Sequence, residues 1–126
     1  MFADKRATAM LPAKDLKRAK AWYADKLGLK PSEEFADMGA VYTLGGGLRA
    51  FLYPTEFAGT AQHTLFSFDS TDLVADMAAL RKTGVSFLDY DLPGLKTENG
   101  LATFGTVKNA WCKDSEGNIL GFVEGM

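Results

Sequence analysis

Few side chains in this sequence are equipped for chemistry. His63 is its only imidazole and Cys112 its only thiol among 126 residues. A lone cysteine cannot close an internal disulfide, and a lone histidine excludes paired-histidine zinc motifs and His-rich metal cages. A Ser-His-Asp triad would have to take His63 as its base, and no serine stands out as its partner. Cys112 has no second histidine to stabilise its thiolate. Lys113 follows it on a strand and points the other way, so Cys112 reads as a small buried apolar residue. His63 could orient a ligand by hydrogen bonding or exchange a proton near neutral pH. An interior histidine with satisfied hydrogen bonds and no function fits the same residue. Gly45-Gly46-Gly47 superficially suggests a phosphate cradle, but no Lys-Ser/Thr follows it. The alternation of Leu48, Ala50 and Leu52 makes it a hairpin turn.

Composition narrows the partners. Fourteen basic residues against sixteen acidic ones give a net charge of -2, which offers no basic field for nucleic-acid phosphates. No apolar run approaches the roughly 20 residues needed to span a bilayer. Pro12, Lys14 and Asp15 interrupt any apolar segment after the charged start. The expectation is a cytoplasmic protein with neither nucleic acid nor membrane as partner. The length suits one domain with an ordinary apolar core.

The elements that must position these residues follow from apolar periodicity. Ala7 to Leu11 reads as a strand. Leu16, Ala19, Trp22, Tyr23 and Leu27 then recur at helical spacing, with Asp15 as N-cap and Gly28 as the left-handed stop. Lys17, Arg18, Lys20, Asp25 and Lys26 occupy the other face and read as a solvated surface. Strands are expected at 31–35, 40–44 and 48–53. The order then repeats: a strand at 63–68, a helix capped by Ser70 or Thr71 and ending at Gly84, and strands at 85–89, 102–104, 109–113 and 119–123. The turn-rich stretch from Asp91 to Asn99 is the candidate for a mobile lid. Thr8 and His63 stand 55 residues apart, and Gly28 and Gly84 stand 56 apart. The chain therefore reads as β-α-β-β-β twice, an α+β fold. Two small sheets side by side, helices outside, would enclose a trough fit for a small ligand.

Two stretches carry a resemblance. Met10 to Tyr23 with Leu27-Gly28-Leu29, and Ala110 to Gly121 with its Asp114-Ser115-Glu116-Gly117-Asn118 turn, are similar to the opening and closing signatures of the vicinal oxygen chelate superfamily, the glyoxalase/bleomycin-resistance/dioxygenase proteins. His63 to Phe68 resembles the first strand of that family's second half. The resemblance implies one domain over 1–126, with paired βαβββ modules at 1–57 and 63–126 forming a cupped mixed sheet, helices on its convex side. It also implies a homodimer. Metal enzymes of the family hold a divalent ion on four inward-facing positions, usually two histidines and two glutamates. Carried onto this chain, those positions are Thr8, a residue close to Phe51, His63 and Gly121. Only His63 could serve. Glu124 stands three residues from Gly121, so strand alternation turns it to the opposite face.

The expectation is thus no metal and no cofactor. By strand parity the trough is lined by Thr8, Met10, Phe51, Tyr53, His63, Leu65 and Ser67, with Gly121 leaving room opposite. Trp111, or Cys112 if the register shifts, closes one wall. Such a lining suits a small apolar or aromatic ligand, although Met10, Phe51 and Leu65 would serve equally as core. The leading expectation is a metal-independent small-molecule binding protein of the glyoxalase/bleomycin-resistance type. The alternatives are a metal-dependent lyase, isomerase or dioxygenase with a rearranged ligand set around His63, and metal-free acid/base catalysis by His63.

Overall fold

The repeated element order appears in the structure, a computed structural model describing residues 1–126, as two sheets of the same topology. The first module comprises β1 (Thr8–Ala13), α1 (Leu16–Leu27), β2 (Glu33–Glu34), β3 (Ala40–Thr43) and β4 (Arg49–Pro54). The second comprises β5 (Thr64–Ser70), α2 (Leu73–Lys82), β8 (Ala102–Phe104), β9 (Val107–Lys113) and β10 (Ile119–Glu124). A small hairpin, β6 (Asp91–Leu92) and β7 (Leu95–Lys96), is inserted between α2 and β8. The sheets run β1-β4-β3-β2 and β5-β10-β9-β8. In each, the first and last strands of the module pair in parallel and the remaining pairs are antiparallel.

Local chemistry explains most boundaries. The Asp15 carboxylate accepts from the Arg18 N–H to cap α1, and Gly28 closes it at φ 67°. β1 continues through Pro12 to Ala13, beyond the expected stop at Leu11. It lies at the edge of its sheet, where a missing N–H breaks no interior ladder. Asp72, not Ser70 or Thr71, caps α2 by accepting from the Ala75 N–H. Gly45–Gly47 forms a short 3-10 turn, with the Leu44 N–H donating to the Leu48 carbonyl beneath it.

One expected strand is absent. Residues 85–89 do not form a strand. The three-residue β8 covers only the 107–109 end of β9, and farther along Phe87 meets Cys112 as an isolated bridge. The stretch from Asp91 to Asn99 carries the β6–β7 hairpin. The Thr97 hydroxyl donates to Asp89 and accepts from the Tyr90 N–H, and the Asp89 carboxylate also takes the Gly100 N–H. These bonds hold the base of the hairpin and, Thr97 first and then Gly100, lower the Asp89 pKa.

One apolar core joins the modules. Leu11, Tyr23, Tyr42 and Leu52 from the first half cluster with Leu73, Met77, Cys112, Leu120 and Phe122 from the second. Phe68 stacks on Phe122, and Phe87 meets Phe122 edge-on. No helix is long and apolar enough to cross a membrane.

Candidate ligand-binding site

The sheet faces turned away from this core form two patches. In the first sheet, register places Thr8, Arg49 and Thr43 in one cross-strand row and Met10, Phe51 and Val41 in the next. Ala9, Leu11, Ala50, Leu52, Ala40 and Tyr42 occupy the alternate positions and pack inward, as period-2 alternation requires. Phe35 and Met38, in the turn between β2 and β3, reach over the apolar row. Phe35 meets Phe51 at 6.4 Å between ring centres. Together Thr8, Met10, Phe35, Met38, Val41, Arg49 and Phe51 line a cavity of about 400 Å³.

In the second sheet, Trp111, Gly121 and Ser67 share the corresponding row. The Trp111 indole donates to the Thr64 hydroxyl at 3.0 Å and its ring meets Tyr90 edge-on. Gly121 is closely approached by side chains of β5. A Cβ there would lie 3.1 Å from both the Ser67 hydroxyl and the Thr64 methyl.

The expected lining residues therefore divide into groups. Thr8, Met10 and Phe51 come together in the cavity, while Tyr53 shares their sheet face one step beyond Phe51 without lining it. Trp111 and Gly121 lie on the other sheet. Leu65 packs against the core, because a register shift between Ile119 and Leu120 gives β5 an extra residue at this point. That bulge puts Thr64, rather than Leu65, beside Trp111. His63 precedes β5 and is exposed, its Nδ1 3.0 Å from the Thr64 carbonyl. Phe35, Met38, Val41 and Arg49 were missed. Val41 and Arg49 could have been found by continuing the parity of β3 and β4, whereas the turn that brings Phe35 and Met38 over the sheet has no periodic signal.

The remaining chemistry-bearing residues serve the fold. Cys112 is fully buried and faces the core. Burial, then the neighbouring Asp114 charge, pushes its thiol up to about 12, so it is no nucleophile at physiological pH. Glu124 faces away from Gly121 and accepts the Leu73 N–H at the start of α2. Of the family's four metal positions, Thr8 would here present a hydroxyl, His63 an exposed imidazole and Gly121 a bare backbone, and the remaining one lies close to Phe51. No three His, Cys, Asp or Glu side chains converge to supply a ligand set instead. This donor set does not fit a divalent ion.

The two signature stretches meet in a clamp between modules. The Arg18 guanidinium binds Glu116 through Nε at 2.8 Å and Nη2 at 3.0 Å. The Asp15 N–H and the Ser115 hydroxyl donate to the same carboxylate. Tyr23 donates to Asp114 at 2.5 Å. Asn118 donates to the Pro12 carbonyl and accepts the Gly59 N–H. Arg18, Lys20 and Lys26 are therefore not merely solvated: Lys20 pairs with Glu34, and Lys26 donates to the Thr83 carbonyl.

The family model for the Glyoxalase/Bleomycin resistance protein/Dioxygenase superfamily matches residues 5–122. A glyoxalase/bleomycin resistance protein from Catenulispora acidiphila superimposes with a TM-score of 0.72 at 22% identity, covering 96% of this chain and 98% of that one. Lactoylglutathione lyase from Agrobacterium tumefaciens gives 0.72 at 14% identity, covering 98% and 96%. TnmS3, an antibiotic binding protein from Streptomyces sp. CB03234, gives 0.70 at 18% identity, covering 100% and 99%. No curated protein sequence matches. A lyase and a binding protein are thus equally similar in backbone, and the fold alone does not choose between them.

Proposed function

Since the chain belongs to the Glyoxalase/Bleomycin resistance protein/Dioxygenase superfamily, we propose that it is a metal-independent protein that binds a small apolar or aromatic molecule on its first-module sheet. The observation that carries this reading is the row Met10–Phe51–Val41 under Phe35 and Met38. Close to where the family's metal enzymes place a ligand, Phe51 offers a ring. Two methionines give the lining soft, adaptable contacts. Thr8 and Arg49 supply the few polar groups that orient a ligand in such a cavity.

The same reading takes the protein as a cytoplasmic homodimer. A compact monomer of this mass, 13.7 kDa, exposes about 6,600 Å² by the usual scaling. This chain exposes 7918 Å². The excess exceeds the roughly 800 Å² that each partner contributes to a standard interface. Met38 at 70% exposure and Met10 at 49% belong to the apolar surface that a second copy would cover.

Two measurements test the assignment. A thermal-shift panel of planar aromatic compounds should raise Tm for the wild type, and the Phe51→Ser variant should lose that shift. Metal analysis after incubation with Ni, Zn, Fe or Mn should find no stoichiometric ion. A one-to-one ion lost on His63→Ala would overturn the reading in favour of a metal enzyme.

A further inference from the structure

Within that binding reading, on which this inference rests, we infer that the ligand is an organic acid whose anionic group is held by Arg49 while its apolar or aromatic body lies on Phe51. Arg49 is the only charged residue lining the cavity. It is half-buried and has no charged or aromatic partner within the chain. The three ion pairs are Arg18–Glu116, Lys20–Glu34 and Lys108–Glu124, and the one guanidinium placed over a ring is that of Arg81 on Phe87. Every other guanidinium that lies among folded elements has a protein acceptor: Arg18 has Glu116, and Arg81 has the Asn99 carbonyl.

A partly desolvated cation beside apolar side chains is costly unless an anion meets it. The acidic residues closest in sequence to this face do not. Glu33 stands opposite Val41 in the outer strand, is exposed and lies outside the cavity lining, and Asp37 in the covering turn is likewise exposed and outside it.

The register gives the ligand a shape. Thr8 and Thr43 flank Arg49 across the sheet, although the Thr43 hydroxyl already meets Ser32. The polar row is therefore a guanidinium with a free threonine hydroxyl beside it, a pair able to hold a carboxylate by charge-assisted bonds. The apolar row begins two residues farther along each strand, roughly 7 Å away. An aromatic body joined by a short chain to a carboxylate spans that distance, and the cavity of about 400 Å³ admits a two-ring system. A cationic ligand would meet like charge at the only polar end.

Three probes sharing one ring system isolate the charge: 1-naphthylacetate, 2-(1-naphthyl)ethanol and 2-(1-naphthyl)ethylamine. Their Kd values would be measured by calorimetry on wild type, Arg49→Gln, Arg49→Lys and Phe51→Ser. The acid should bind wild type at least tenfold tighter than the alcohol, with the amine weakest. Arg49→Gln should remove that preference, and a cooperative thermal melt with the wild-type far-UV circular dichroism shows that the variant is folded. Arg49→Lys should keep part of the preference, and added salt should weaken only the acid. Equal binding of acid and alcohol, or a preference that survives Arg49→Gln, overturns the inference and leaves the apolar site standing. No binding by any probe, or binding indifferent to Phe51→Ser, overturns the apolar site and this inference together.

Discussion

Four donors converge on the Glu116 carboxylate, from Arg18 twice, Asp15 and Ser115. Burial alone would raise its pKa. The Arg18 bonds, the Asp15 N–H and the Ser115 hydroxyl outweigh burial and hold it at about 2. A folded-state pKa below the unfolded value of about 4.3 means that this stabilisation is present above that pH and is lost as pH falls toward 2. Glu116→Gln should therefore lower stability at pH 7 by roughly 2 kcal/mol, the scale of charged hydrogen bonds. The gap from wild type should close between pH 4 and 2. Denaturant melts across that range test this, and a gap independent of pH would refute it. Half-exposed Arg18 leaves the pair open to screening, so high salt should shrink the gap as well.

At the scale of elements, the closing turn 114–118 does more than join β9 to β10. Asp114 accepts the N–H groups of Glu116 and Asn118 from within the turn. The outer edge of the turn holds β1, α1 and the loop before β5. Gly59 in that loop sits at φ 75°, and a Cβ there would approach the Glu116 carbonyl to 2.2 Å. Both the left-handed backbone and the close approach require glycine. Gly59→Ala should cost about 2–4 kcal/mol, a range that combines backbone strain with displacement of the turn. Gly45→Ala, which meets no atom within 4 Å, is the control and should leave Tm nearly unchanged. Equal effects at the two positions would show that the Gly59 crossing is not tight. The signature residues Asp15, Arg18, Tyr23, Asp114, Glu116 and Asn118 thus form a structural clamp, which explains how a strong family pattern coexists with an unspecified reaction.

For the whole molecule, the two outward sheet faces and the excess exposed area point in one direction. If a second copy covers the apolar surface, sedimentation should give a mass near 27 kDa, twice the 13.7 kDa of the chain. Met38→Asp and Met10→Asp together should shift that mass toward the monomer and weaken ligand binding. A wild-type monomer at micromolar concentration would remove the dimer from the reading but leave the first-module cavity in place, since one chain lines it.

Periodicity and capping chemistry made the two helices, most strands and the doubled βαβββ order legible from residues alone. These rest on interactions within a few positions, such as Asp15 with Arg18 and Gly28 at the end of α1. Tertiary structure decided the rest. The bulge in β5 exchanged Leu65 for Thr64, and a two-residue β2 carried Phe35 and Met38 over Phe51. It also brought Arg18 and Glu116 together from 98 positions apart, while leaving Arg49 without a partner. A strand's faces follow from its own sequence, but register, bulges and distant charge pairing depend on residues that meet only when the sheets assemble.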